Sequence, residues 1–146
     1  MNQPANFSES NDPVEYDFAR SWNFIIKFYD GSSMRAFLGD TLADLMVKLV
    51  SSMCEEGYNR YCRAGQATHQ LILSRSREHG YLGRCYICFS PEYDSYEING
   101  KIKTVQALQV TYQVDGNICE EFAENEIALT NRIRNLLQRL SQQPIN

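Results

Sequence analysis

The residues best equipped for chemistry lie in GRCYICFSP, residues 83–91, where Cys85 and Cys88 form a Cys-x-x-Cys pair. Such a pair serves two chemistries. It supplies half of a zinc site, in which about four nitrogen and sulfur ligands converge on one ion. Alternatively it is a redox dithiol, acidified at a helix N-terminus. Neither setting is written here. Tyr86, Ile87 and Phe89 favour extended backbone, and a strand sends side chains three apart to opposite faces. Nothing after Cys88 starts a helix, and no second Cys-x-x-Cys or His-x-x-x-His follows. The other ligand types, Cys54, Cys62, Cys119, His69 and His79, show no metal spacing. Free cysteine is among the residues most often buried. The pair therefore reads as interior filler, and neither metal nor cofactor is expected.

Other reactive groupings are weaker. RYCRAGQATH sets Cys62 between Arg60 and Arg63, with His69 seven residues on. Neighbouring positive charge can acidify a thiol into a nucleophile, but no base-orienting group or oxyanion-hole sequence accompanies it. With two histidines in the chain, and carboxylates such as Glu55–Glu56 and Glu120–Glu121 reading as caps or solvated faces, no acid–base pair stands out. Phosphate-binding glycine motifs of the Walker or dinucleotide kind are absent. The expectation is a protein without catalysis.

Two segments suit contact instead. EYDSYEI, residues 92–98, offers Tyr93, Asp94, Tyr96 and Glu97 as an alternation of acid and tyrosine along one edge. Tyrosine is amphipathic and enriched at protein contacts. SRSREHGYLGR brings Arg75, Arg77 and Arg84 together with Tyr81. With Lys101, Lys103, Tyr86 and Phe89 nearby in sequence, the same stretch is the basis for an alternative, single-stranded nucleic-acid binding by phosphate contact and base stacking.

The elements that position these residues can be read from composition and period. At 146 residues, 43% hydrophobic and 22% charged, the chain has the size and make-up of one globular domain. No run approaches the ~20 apolar residues of a membrane span. The polar, acidic start does not resemble a signal peptide, so a cytoplasmic protein with five reduced cysteines is expected. Charge is uneven: residues 1–59 carry four basic and nine acidic groups, 60–103 seven and four, 104–146 three and five. The middle is mildly basic, short of the concentrated Lys/Arg surface of a duplex binder.

Residues 1–20, with two of the four prolines and few aliphatics, read as a flexible arm, and residues 21–146 as a single domain. WNFIIKFYDGSSMRAFL, residues 22–38, reads as a hairpin on the alternation of Phe24, Ile26 and Phe28, with DGSS as its turn. Over 40–57, Leu42, Leu45, Met46, Leu49 and Met53 make a helical stripe; Thr41 with Asp44 suggests a capping box, and Gly57 a C-terminal stop. Overlapping its start, FLGDTLADLMVKL resembles the strand-to-helix junction of HicB-type antitoxins over about a dozen residues. The flanking strands do not follow that pattern, so nothing is carried across.

Residues 58–68 read as loop, followed by strands around Leu71–Leu73 and in YLGRCYICF. Asn99–Gly100 and Asp115–Gly116 are two-residue turns. They bracket a strand whose inner face is Leu108, Val110, Tyr112 and Val114, with Gln109, Thr111 and Gln113 outside. A short strand, NICEEF, follows, and then a helix over about 126–141 capped by Asn125. The sum predicts an α+β fold: two layers, a mainly antiparallel sheet of about five to seven strands, and two amphipathic helices on one face. The functional expectation is a small binding protein that occupies a surface of a larger protein partner, in the manner of inhibitors, immunity proteins and mobile-element accessory proteins. No membrane partner is expected. A homodimer through a strand edge or the last helix is open.

Overall fold

The computed structural model describes residues 12–78 and 83–145. It opens with a long helix, α1 (Pro13–Asp30). The start is encoded by Asp12–Pro13. Asp12 accepts from the Val14 N–H at 2.9 Å, and proline fills the first helical position, where it has no hydrogen bond to lose. Phe18, Trp22, Ile25 and Tyr29 are buried at spacings of four, three and four, the stripe of a helix. Two expectations are corrected here. Residues 13–20 belong to this helix and not to an arm, while residues 1–11 lie outside the described residues. The hairpin over 22–38 is α1 followed by a short helix, α2 (Ser32–Leu38). The alternation that suggested a strand would bury Phe24, which is 65% exposed, whereas the helical stripe buries Trp22 and Tyr29 completely.

Helix α3 (Asp40–Glu55) carries the expected stripe, with Leu42, Met46, Leu49 and Met53 buried. What precedes Gly39 is helical, so the antitoxin-like junction is absent. Thr41 and Asp44 form no capping box. Asp44 instead joins Asp30 and Asp40 around Arg35, at 2.6, 2.6 and 3.3 Å, tying the ends of the first three helices together. Gly57 takes φ +87, the left-handed conformation that ends a helix.

The sheet is antiparallel, in the order β1 (Arg63–Ala67), β2 (Gln70–Ser74), β3 (Cys85–Ile98), β4 (Lys101–Val114), β5 (Asn117–Glu124). Strand β1 falls where a loop was expected; its small residues, Ala64, Gly65 and Ala67, hide the alternation that marks a strand. Both two-residue turns form, with positive φ at Asn99, Gly100, Asp115 and Gly116. The last helix, α4 (Asn131–Ser141), begins later than expected, capped by Thr130 rather than Asn125. Thr130 Oγ1 accepts from the Ile133 N–H at 3.3 Å.

The α+β class and the five-stranded sheet agree with expectation, although four helices, not two, stand among the described residues. One core joins Leu71, Leu73, Ile87, Phe89, Val110 and Tyr112 on the inner sheet face to the stripes of α1, α3 and α4. Helix α1 runs along the outer edge of β1 and closes it. Ser21 Oγ accepts from the Ala64 N–H, Trp22 Nε1 donates to the Cys62 carbonyl, and Tyr29 Oη donates to the His69 carbonyl, each at 2.8 Å. Among the described residues, no helix is long and apolar enough to cross a membrane.

Candidate protein-contact site

Strands β3 and β4 are longer than their neighbours. Strand β2 pairs with β3 only from Ser74↔Tyr86 to Leu71↔Phe89, and β5 pairs with β4 only from Leu108 onward. The β3–β4 ladder continues alone from Glu92↔Ala107 to Ile98↔Lys101. The result is a two-stranded arm roughly 23 Å long at ~3.3 Å per residue, with neither outer edge paired to another strand among the described residues. Ser95 Oγ and Thr104 Oγ1 meet across it at 3.0 Å.

The arm carries four exposed large hydrophobic residues: Tyr93 (46%), Tyr96 (44%), Ile98 (48%) and Ile102 (78%). Its two strands differ in charge. Residues 92–98 hold Glu92, Asp94 and Glu97 with no base, and residues 101–107 hold Lys101 and Lys103 with no acid. The tyrosines and acids expected along one edge are divided by the two-residue period of the strand. Tyr93 and Glu97 continue the core face of β3, and Asp94 and Tyr96 point the other way. Ile98 and Ile102 were not among the expected site residues. Their signal was present: on β4 the inward series Val110, Leu108 turns polar at Gln106 and Thr104, so the strand leaves the core there.

The arginine cluster does not join this site. Arg84 flanks the start of β3, nine residues from Tyr93 or ~30 Å of extended chain. It makes a two-bond pair with Asp115 at 2.7 and 2.8 Å, which holds that carboxyl below the usual range. Arg75 is a structural tie: its guanidinium donates to the Tyr61 carbonyl and, at 2.8 Å, to that of Gln143. Arg77 is exposed, and its carbonyl accepts from Arg63. Tyr81 and His79 lie outside the described residues. The basic groups proposed for nucleic acid are thus split, with Arg75 and Arg84 at one end of the sheet and Lys101 and Lys103 at the tip of the arm.

The thiols sit as strand geometry requires. Cys85 shares the core face with Ile87, and Cys88 lies on the opposite face with Ile72 and Thr111, so the two sulfurs do not converge. Cys62 is buried and donates to the Tyr58 carbonyl; burial pushes its pKa up to about 12, against the smaller opposing pull of Arg75. A thiol so held is protonated at neutral pH and is no nucleophile. His69 faces Ser90 Oγ at 3.4 Å. No group of three or more His, Cys, Asp or Glu arranged to hold a metal ion lies among the described residues. Comparison with family models, with characterised proteins and with solved structures finds no match to this chain.

Proposed function

We propose that this is a non-catalytic binding protein that reaches a larger protein partner with the β3–β4 arm. The observation that carries the reading is the arm itself: apolar side chains held in water on a ribbon with two open edges. A two-stranded hairpin is marginal on its own in water, and exposed strand edges are hazards that proteins usually cover. An arm of this kind suits addition of a partner strand, with backbone hydrogen bonds supplying affinity and alternate side chains supplying specificity. The β3 edge is the better acceptor of such a strand. Its three carboxylates select a basic extended segment, and Tyr93 and Tyr96 give that segment aromatic surface on both faces. The acids and lysines also discourage indiscriminate edge pairing. Nucleic acid is the poorer partner for the arm, because Glu92, Asp94 and Glu97 repel phosphate beside Lys101 and Lys103. By occupying such a partner the protein would act as an inhibitor or a mobile-element accessory protein.

The test is capture of a partner from lysate by the purified chain, followed by mapping with synthetic peptides of that partner. Tyr93→Ala with Tyr96→Ala should lower capture at least tenfold while the thermal melt is unchanged. A basic extended peptide should compete. Undiminished capture by the double variant removes the proposal. So does a low-salt gel shift in which nucleic acid binds through the arm lysines.

A further inference from the structure

Helix α1 does more than close the edge of β1. It stands above the outer face of the sheet as a wall, with Phe24, Phe28 and Arg20 over a floor that begins with Gly65, Ala67 and Ile72. The angle between them is a groove of about 790 Å³. The floor continues past the groove along one row of the sheet, Ile72↔Cys88↔Thr111↔Glu121, ending on β5. On the body of the sheet this outer face bears two charged side chains among the described residues, Arg63, already paired with Asp17, and Glu121. Glu121 has no ion pair there, and neither do Arg20 and Lys27 on the crest of α1. Phe24 projects between those two bases, 65% exposed.

We propose that a second copy of this chain covers the face, related by a two-fold axis, with the α1 crest of each copy lying on the sheet floor of the other. A wall beside a flat floor is a step, and a step is complementary to itself under two-fold rotation. The dimensions agree. Five strands at ~4.8 Å make a floor ~19 Å wide, which takes one helix of ~10 Å diameter beside the resident α1. The charges agree as well. In this arrangement Arg20, which among the described residues makes only a ring contact with Tyr16, and Lys27 of one copy approach Glu121 of the other, and Phe24 lies on the uncharged strip over Cys88 and Thr111.

Sedimentation velocity over a concentration series tests this directly. The wild-type chain should sediment as a dimer that dissociates on dilution. Phe24→Asp should raise the dissociation constant roughly 30-fold or more, the effect of losing a central aromatic anchor. Arg20→Glu and Glu121→Arg should each weaken the dimer several-fold, and the double variant should recover it. All three positions are exposed, so the far-UV spectrum and melt of each monomer should be unchanged. Ile102→Asp, on the arm, should leave the dimer intact, which separates this interface from the proposed partner site. A monomer at every concentration overturns the proposal. A dimer indifferent to Phe24→Asp and Glu121→Arg does too, as does a dimer lost on Ile102→Asp.

Discussion

From Cys85 to Pro91 strand β3 hides every second side chain, whereas from Tyr93 to Ile98 it hides none. Strand β4 makes the same change in reverse, exposed from Lys101 to Thr104 and buried at Ala107, Leu108, Val110 and Tyr112. The ladder between the two strands is unbroken across this boundary. Hydrogen bonding between them therefore cannot account for the difference. What changes is the company. The proximal half is flanked by β2 and β5 and roofed by α3 and α4, and the distal half has none of these. Strand preference reports packing against such neighbours more than any intrinsic backbone property. The proximal half thus carries stability, and the distal half is free to carry contact.

Truncating a large apolar side chain in each half should separate their roles. Phe89 is fully buried in the proximal half, against Leu71 on one side and Val110 on the other. Phe89→Ala should cost ~3–5 kcal/mol, the usual loss for a large aromatic in a packed core. That is a large share of the ~5–15 kcal/mol available to a domain. Urea denaturation measures it directly. A loss under ~1 kcal/mol would mean that the core face of β3 is not what holds the fold.

A second comparison is between edges. The outer edge of β1 is closed by α1, and the edges of the arm are open. Ser21 is the hinge of that closure, since its hydroxyl accepts from Ala64 N–H and donates to the Phe18 carbonyl at 2.6 Å. Ser21→Ala removes no apolar contact but strands a buried N–H, and should cost ~1–3 kcal/mol. If denaturant midpoints do not move, water or a shifted backbone satisfies Ala64, and the edge is less closed than its geometry implies.

How much of this was legible beforehand follows the same physics. Helix α3 was readable because its stripe runs uninterrupted from Leu42 to Met53 with Gly57 to end it. The turns at Asn99–Gly100 and Asp115–Gly116 were readable because few residue pairs tolerate two successive positive φ values. Helix α1 was not. Phe24, Ile26 and Phe28 alternate as a strand would, and Ile26 and Phe28 also pack against the core of a helix; only the burial of Phe18, Trp22, Ile25 and Tyr29 together chooses the helix. The Asp12–Pro13 start was a usable signal, hidden by reading the first twenty residues as one polar segment. For the candidate site, the tyrosines and acids of 92–97 stand out by residue type, and their division between two faces follows from strand parity. The arm as an arm was not found, because the lengths of β2 and β5 decide where β3 loses its neighbours, and those lengths are tertiary facts.

The arm itself should tolerate substitution. Ile102→Thr removes an apolar side chain that is 78% exposed and keeps a residue suited to strands. It should move stability by no more than ~0.5 kcal/mol, as surface substitutions usually do. Such a result alone would fit any surface residue, so amide hydrogen exchange is the decisive partner measurement. Amides of Ile87 and Phe89 lie in the five-stranded body and should open only with global unfolding. Those of Tyr93, Tyr96 and Ile98 are supported by one ladder with water on both sides, and should exchange by local opening orders of magnitude faster. Equal protection of the two halves would mean that the arm is already covered in the free protein. It would then be a structural element and not a surface kept open for a partner.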